Sequence, residues 1–330
     1  MATIRDVSKL AGVSVATVSR VLNKSGYVHK STIEAVEKAM QTLQYKPSHI
    51  ARSLAGKRTA TVALIVPNIL NPFFPLLARA IEDTAQENGF SVLLCNSDSS
   101  TEKERQYMEV LATKQVDGLL LASYTARPEE LSAFERDSSI PVVLVDNCFP
   151  GQPIASFIAR HREGARMAVR HLTAQGCRKI AHISGPPHVF AAHERRLAYE
   201  ELCQDQPWYT PDLIVQSDYM ISGGELAVKQ LLSRHPDVDG VFAGNDLLAV
   251  GAMRVLYAMG VHVPGQIKLI GFDGVAVDYA VPGLSTVVQP VYEIGTQAMR
   301  HLLARIRGES VAPEIREFDT RLASAASTGC

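Results

Sequence analysis

Short apolar segments alternate with amphipathic helix patterns along most of the chain, starting at Thr61. Apolar segments with the length of strands lie at residues 62–66, 92–95, 118–122, 142–145, 180–184, 241–243 and 269–272. Helical spacing predicts helices at residues 75–88, 102–114 (after a capping box of Thr101 and Glu104), 162–174, 194–204, 223–234, 247–258 and 292–307. Strands separated by helices in this way form parallel sheets with helices on both faces. The alternation therefore predicts an α/β body of doubly wound parallel sheets.

The first part of the chain has a different pattern, which predicts three short helices. Thr3 starts the first helix, Ser14 starts a second that runs to about residue 23, and a capping box of Ser31 and Glu34 starts the third. Gly12 lies in the short turn between the first two helices. Two helices joined by a short turn that contains glycine are the signature of a helix-turn-helix.

Charge also separates this part from the rest of the chain. Residues 1–58 carry ten Lys and Arg against three Asp and Glu, a net charge of +7, whereas the remaining residues carry −8. A basic segment on an acidic body is typical of a protein that binds a polyanion such as nucleic acid. The predicted organisation is an all-α helix-turn-helix head (residues 1–46), a hinge helix and linker (47–60), and a body (61–330).

The predicted second helix has small or polar residues on its outer face. A helix that enters the major groove needs such a face, because bulky side chains would hold it away from the base edges. Arg20 suits a bidentate contact with guanine, and hydroxyl, amide and imidazole groups suit phosphate oxygens. The residues predicted to contact DNA are Ser14, Val15, Ala16, Thr17, Ser19, Arg20, Asn23 and His29.

Residues 3–23 resemble, almost residue for residue, the opening of the lactose/galactose repressor family, and residues 45–56 resemble the hinge of that family. The similarity extends to about residue 310. It implies a two-lobed body with the fold of type I periplasmic sugar-binding proteins. It also implies a homodimer that binds operator double-stranded DNA, with Leu54 inserted into the minor groove.

Polar and aromatic residues follow several predicted strands: 71–74 after the first, 146–147 after the fourth, 245–246 after the sixth and 271–274 at the end of the seventh. Ligands of parallel sheets bind at these carboxyl ends, and aromatic rings with carboxylates and amides suit sugar recognition. The resemblance implies effector contacts at Phe73, Phe74, Asp146, Arg196, Tyr219, Asn245 and Asp273, with Asn71 and Gln289 matching the ribose-binding pattern in particular.

Within the family, residues 71–79 and 96–98 are most similar to the Gram-positive ribose-responsive branch. Asn147 replaces the arginine usual in that branch, and residues 159–163 lack its Asp-Asn pair. Residues 287–295 are instead similar to the catabolite-control branch, whose co-regulator is a phosphoprotein. The resemblance implies a repressor of ribose-utilisation genes that a small sugar releases. A catabolite-control regulator with a phosphoprotein partner is the alternative, and an effector that strengthens DNA binding also stays open.

Other classes of protein are disfavoured. The five cysteines form no C-x-x-C pair and the histidines show no metal-ligand spacing, so neither a metal nor a cofactor is expected. The sequence contains no complete phosphate-binding-loop, dinucleotide-binding or nucleophile-elbow motif, so the chain is not expected to be an enzyme. No apolar segment suits a signal peptide or a membrane span. This favours a cytoplasmic regulator over a sugar-binding transport protein.

Overall fold

The computed structural model of the chain describes residues 2–22, 26–45, 59–114, 116–275 and 280–329. Two residues predicted to contact DNA, Asn23 and Leu54, lie outside these ranges, as do residues 47–58 of the predicted linker. The chain divides into two compact units, Met1–Thr59 and Ala60–Cys330.

The described residues of the first unit form a bundle of three helices, α1 (Ile4–Ala11), α2 (Val15–Leu22) and α3 (Lys30–Thr42). Val7, Val18 and Val36, one from each helix, are fully buried against one another. Each short helix is stabilised mainly by burying this apolar stripe, because isolated helices of this length are marginal in water. The predicted helix-turn-helix is confirmed.

Capping interactions at Thr3 and Gly12 set the limits of α1. The Asp6 backbone N–H donates to the Thr3 hydroxyl, and the Asp6 carboxylate accepts from the Thr3 backbone N–H at 2.8 Å. Gly12 ends the helix with a φ of +67°, a backbone conformation that costs glycine little. Both features agree with the sequence pattern.

The start of α3 differs from the prediction. The helix begins at Lys30, and the His29 imidazole accepts from the Ser31 backbone N–H. Ser31 is therefore inside the helix, and the predicted capping box of Ser31 and Glu34 is wrong. The His29 imidazole occupies the capping position instead.

The second unit has two lobes. Among the described residues, the first lobe contains the strands β1 (Thr61–Val66), β2 (Ser91–Asn96), β3 (Gly118–Leu121), β4 (Val142–Val145), β5 (Ala155–Ala159) and β11 (Ile315–Phe318). They form one parallel sheet in the order β11-β5-β4-β3-β1-β2. Its helices are α4 (Phe73–Glu87), α5 (Thr101–Lys114), α6 (Pro128–Ser138) and α11 (Val291–Arg307).

The described part of the second lobe repeats this architecture. Its strands are β6 (Ile180–Ser184), β7 (Ile214–Gln216), β8 (Gly240–Ala243), β9 (Lys268–Asp273), β10 (Ser285–Val288) and β12 (Arg321–Ala323), in the order β12-β10-β9-β8-β6-β7. Only β12 runs antiparallel to its neighbour in this described sheet. Its helices are α7 (His161–Ala174), α8 (Phe190–Cys203), α9 (Ile221–Arg234) and α10 (Asp246–Ala258).

Helices cover both faces of each sheet, as β1 shows. Val62 and Leu64 pack with the cluster that contains Phe74 of α4, whereas Ala63 and Ile65 pack with the cluster on the other face. Successive side chains of a strand point to opposite faces, so a strand buried on both faces is apolar along its whole length. The doubly wound α/β prediction is confirmed.

Each predicted strand and helix of the body is present, β4 and β6 with the predicted ends and the others with ends shifted by one to four residues, and the structure adds β5, β7, β10, β11, β12 and α6. Within the described ranges the chain passes between the lobes after β5, after β10 and after β11. These crossings confirm the two-lobed body. None of the described helices is both long enough and apolar enough to cross a membrane.

Candidate functional site

Residues that follow the strands of both lobes meet in one cavity. In the first sheet β1 lies between β2 and β3, and in the second β6 lies between β7 and β8, so the strand order reverses at these points. The crevice beside such a reversal is the usual ligand position in α/β sheets. The cavity contains about 270 Å³ of space, part of it open to solvent. It is lined by Asn71, Phe73, Phe74, Tyr124, Asp146, Val189, Ala191, Arg195, Tyr219, Asn245 and Asp273.

One side of the cavity is an aromatic row that runs from the first lobe to the second. The ring centroids of Phe73 and Phe74 are 5.1 Å apart. Tyr124 lies 6.3 Å from Phe74 and 6.4 Å from Tyr219 of the second lobe. The Asn71 side-chain oxygen accepts from the Phe73 backbone N–H at 3.1 Å and so holds the start of α4. Aromatic faces of this kind can cover the C–H face of a sugar.

The polar side of the cavity centres on Arg195 and Asp273. Arg195 Nη2 is 3.3 Å from Asp273 Oδ1, and both side chains are almost fully buried. Its guanidinium carbon lies 3.8 Å from the centre of the Phe272 ring. Gln289 Nε2 donates to the same Asp273 oxygen at 2.7 Å. Burial raises the pKa of Asp273 to about 8, although the neighbouring Arg195 acts in the opposite direction.

A second carboxyl group, that of Asp146 after β4, faces His161 at the start of α7. Asp146 Oδ1 and His161 Nε2 are 3.4 Å apart but lack the alignment of a hydrogen bond. Burial lowers the pKa of His161 below its ordinary value, which favours the neutral ring near pH 7. Among the described residues at the cavity, the ionisable groups therefore contribute two carboxyls and one guanidinium, with no excess of positive charge.

Several buried polar atoms around the cavity have no hydrogen-bond partner within the described residues. They are Asp146 Oδ1, His161 Nε2, Arg195 Nε, the Tyr219 hydroxyl and Gln289 Oε1. An unpaired buried polar group costs about 1–3 kcal/mol, so such groups rarely cluster in a native fold without a functional reason. The set contains both donors and acceptors, which is what a ligand rich in hydroxyl groups would satisfy.

Three residues of the cavity wall have a left-handed backbone conformation. The φ angles are +58° at Asp146, +66° at Tyr219 and +104° at Asp273. Residues other than glycine in sparsely populated regions cost about 1–3 kcal/mol each and concentrate at functional sites. This cost at three ligand-facing positions is a second indication of a binding site.

Most of the predicted effector residues meet here. Asn71, Phe73, Phe74, Asp146, Tyr219, Asn245 and Asp273 line the cavity, and Gln289 lies behind Asp273. Arg196 does not reach it. Its guanidinium pairs with Glu200 at 3.0 Å, one turn along the partly exposed side of α8. Adjacent helix residues point about 100° apart, so Arg195 takes the position predicted for Arg196.

The sequence held signals for the residues that were missed. Arg195 shares a helix face with Ala191, Ala192, Ala198 and Tyr199, all buried. An arginine within an apolar stripe indicates a buried functional cation. Tyr124 and His161 follow β3 and β5, so the strand-end argument used for the other residues applies to them too.

Glu104 supports the loop that carries Tyr124. The carboxyl of Glu104 is buried and accepts from the Ser123 hydroxyl at 2.6 Å. The Ser123 hydroxyl in turn accepts from the Ala126 backbone N–H at 2.9 Å. The predicted capping box of Thr101 and Glu104 is therefore wrong, because α5 begins at Thr101 and the Ser100 hydroxyl accepts from the Lys103 backbone N–H.

In the first unit, the outer face of α2 is open to solvent. Val15 is 39% exposed, and Ala16 and Arg20 are also exposed, whereas Val18 on the inner face is buried. The hydroxyls of Ser14 and Thr17 lie 2.9 Å apart, and Ser14 also accepts from the Thr17 backbone N–H at 3.1 Å. These two hydroxyls therefore stabilise the start of α2. Of the other predicted DNA contacts, Ser19 is half-buried in α2 and His29 is exposed before α3.

Comparisons with known families match both units. Residues 3–48 match the family of bacterial regulatory proteins called the lacI family. Residues 59–323 match the family described as periplasmic binding proteins and the sugar-binding domain of the LacI family.

Individual relatives match along nearly the whole chain. The ribose operon repressor of Halalkalibacterium halodurans is 41% identical, over 98% of this chain and 96% of its own length. The catabolite control protein A of Priestia megaterium is 35% identical, over 99% of each chain. A crystal structure of the lac repressor dimer bound to operator and an anti-inducer superposes with a TM-score of 0.87 at 28% identity, over 99% of each chain. The chain belongs to the LacI family of bacterial regulatory proteins.

Proposed function

We propose that this chain represses sugar-utilisation genes and that its effector is a neutral monosaccharide, D-ribose in the first place. The observation that carries the proposal is the cluster of unpaired buried donors and acceptors beside an aromatic row in this cavity. A pentose presents hydroxyl groups to the first and C–H groups to the second. The ribose operon repressor among the relatives supports ribose.

The charges of the cavity favour an uncharged sugar over a sugar phosphate. A phosphate group would lie near the carboxyl of Asp146, and the guanidinium of Arg195 is already in contact with Asp273. Like charges that are brought together in a buried site cost several kcal/mol. D-Ribose 5-phosphate should therefore bind less well than D-ribose.

The DNA-binding part of the proposal rests on α2. Its residues Val15, Ala16 and Arg20 are exposed. The small side chains of Val15 and Ala16 allow the helix to enter the major groove, where Arg20 can reach base edges. Ser14 and His29 stand at helix starts, where backbone N–H groups and side chains suit phosphate oxygens. Arg20 is the residue assigned to guanine.

A homodimer on a near-palindromic operator fits this assignment, because each head would read one half-site. The edge strand β2 exposes Leu93 and Leu94, at 37% and 43%. An edge strand with exposed apolar side chains favours association with another protein surface. A second copy of the chain is the proposed occupant, and the relative solved on operator DNA is a dimer.

D-Ribose would act by favouring a state of the body in which the chain binds DNA less tightly. Coupling between two such sites is typically about 1–3 kcal/mol, or about 5- to 150-fold in affinity. A regulator of this kind acts in the cytoplasm, where its operator lies.

Calorimetric titration of the intact chain tests the effector assignment. D-Ribose should give a saturable binding heat, and D-ribose 5-phosphate should bind about tenfold or more weakly. D-Ribose should also lower the affinity for a duplex selected from a random library. Absence of binding, or tighter binding of the phosphate ester, would overturn the proposal in favour of a regulator controlled by another molecule or by a phosphoprotein.

A further inference from the structure

Asp246 is a fully buried carboxylic acid beside the cavity, and it is not among the described residues that line it. It is the first residue of α10, directly after β8 and Asn245. Its Oδ1 accepts from the Thr286 hydroxyl at 2.6 Å, and its Oδ2 accepts from the Val275 backbone N–H at 2.8 Å. One side chain is therefore bonded to β10 and to the segment that follows β9.

The Asp246 side chain can reach Thr286 only because residue 271 of β9 is a glycine. Strand β9 lies between β8 and β10, and Gly271 is the register partner of Thr286. A Cβ atom on Gly271 would collide with Asp246 Oδ1. The carboxylate therefore crosses β9 where the strand has no side chain, and this gap allows it to reach Thr286.

The bond to Val275 closes a turn that carries Asp273. The turn leaves β9 through two residues with positive φ, +104° at Asp273 and +78° at Gly274. A residue with a Cβ relaxes from such a conformation unless its surroundings hold it. Asp246 holds the far end of the turn, and the Gln289 backbone N–H holds the near end by donating to the Asp273 carbonyl at 3.1 Å.

We propose that Asp246 is a positioning residue for effector binding, which holds the Asp273 carboxyl toward the cavity through the Gly274–Val275 turn. The inference rests on the proposed function only for its choice of ligand. Asp246 does not touch the effector, and it acts by fixing the backbone that aims Asp273 at Arg195 and at the ligand. Substitution of Asp246 therefore changes the affinity for effector through Asp273 alone.

A double-mutant cycle in the full chain tests this route. Asp246→Ala removes both acceptor oxygens, so neither the Val275 backbone N–H nor the Thr286 hydroxyl keeps its bond to residue 246. It should weaken D-ribose binding by about tenfold in the wild-type background and by less than about twofold in the Asp273→Ala background. Thr286→Val, which removes the Thr286 bond alone, should act in the same direction. Asp237→Ala, at an exposed aspartate paired with Lys179, is the matched control and should bind as wild type does.

A second measurement keeps the inference independent of the ligand. Amide hydrogen exchange across residues 268–275 should be faster in Asp246→Ala than in wild type, while exchange in β1 should be unchanged. Equal losses of D-ribose affinity in both backgrounds would assign Asp246 a purely stabilising role and overturn the inference. If wild type fails to bind D-ribose, the proposed effector is wrong, and the exchange result alone decides: unchanged exchange in 268–275 overturns the inference.

Discussion

Arg195 and Arg196 are adjacent in sequence, but α8 directs them to different surroundings. The Arg195 side chain is 3% exposed and contacts Asp273, whereas the Arg196 side chain is 37% exposed and pairs with Glu200. Arg195 is therefore the member of the pair whose guanidinium reaches the cavity. The two positions form a matched pair that separates a ligand contact from a general effect of removing a cation.

Arg195→Ala should weaken D-ribose binding by about 10- to 150-fold, because hydrogen bonds to charged groups contribute about 1.5–3 kcal/mol. Arg196→Ala should change the affinity by less than about twofold, since it removes an ion pair of low strength at the surface. Calorimetric titration of both variants measures the difference. Similar losses in the two variants would contradict the assignment of Arg195 to the cavity.

Asp273 should make the stability of the body depend on pH. Its pKa is about 8 in the folded protein against an ordinary value of 3.8, so between these values the folded state holds a proton that the unfolded chain has released. The free energy of unfolding should therefore fall as pH rises through this window, by up to about 1.4 kcal/mol per pH unit. At the acidic end of this pH window the buried Asp273 carboxyl is protonated and the folded state is most stable. Ionisation of the carboxyl at higher pH removes that stability.

Asp273→Asn should flatten this dependence, because the amide does not ionise. Urea unfolding of wild type and variant at pH 5 and pH 8 provides the comparison. The stability of wild type relative to the variant should be greater at pH 5 than at pH 8. A relative stability that stays constant or rises with pH would show that the Asp273 carboxyl is already ionised at low pH in the folded protein.

Among the elements, burial decided which strands were predictable from the sequence. The central strands β1, β3, β4 and β8 are covered on both faces and read as continuous apolar segments. Strand β11 has one buried residue of four and lies at a sheet edge, so its sequence carries little apolar signal. Strand β10 contains the buried polar residues Ser285 and Thr286, whose hydroxyls are bonded inside the fold.

The candidate site was also predictable in part from the sequence. Residues such as Asn71 and Asp273 follow apolar strands, and the carboxyl ends of parallel strands converge. The choice between Arg195 and Arg196 depends on which face of α8 is buried, and a short motif does not contain that information. The apolar spacing around Arg195 does contain it. Position along a strand was therefore easier to derive than orientation on a helix.

Helices α9 and α10 pack closely through glycines. A Cβ on Gly251 would overlap the Ile221 carbonyl oxygen, and one on Gly224 would overlap that of Leu248. Gly251→Ala should therefore destabilise the body by about 1–3 kcal/mol, despite the higher helix propensity of alanine. Gly265→Ala is the control, because its Cβ would lie 3.6 Å from His262, an ordinary contact. Urea unfolding should show a loss for Gly251→Ala alone, and two equally stable variants would contradict the close packing.

At the scale of the whole molecule, one chain contains two units. The first is basic and has an exposed helix, α2, and the second is acidic and contains a polar and aromatic cavity. The net charge of +7 in residues 1–58 favours association with DNA phosphates, and the −8 of the remainder does not. If D-ribose lowers the affinity for operator DNA by some factor, bound DNA must lower the affinity for D-ribose by the same factor. Sugar binding and DNA binding then shift the same conformational equilibrium in opposite directions.

The most direct measurement is the binding of fluorescent duplex DNA, selected from a random library, by the full chain and by a fragment of residues 60–330. The full chain should bind the selected duplex about a thousandfold or more tightly than random DNA, and D-ribose should weaken that binding. The fragment should bind neither duplex measurably. A fragment that holds the selected duplex as tightly as the full chain, or a full chain that does not distinguish the two duplexes, would contradict the assignment of DNA recognition to α2.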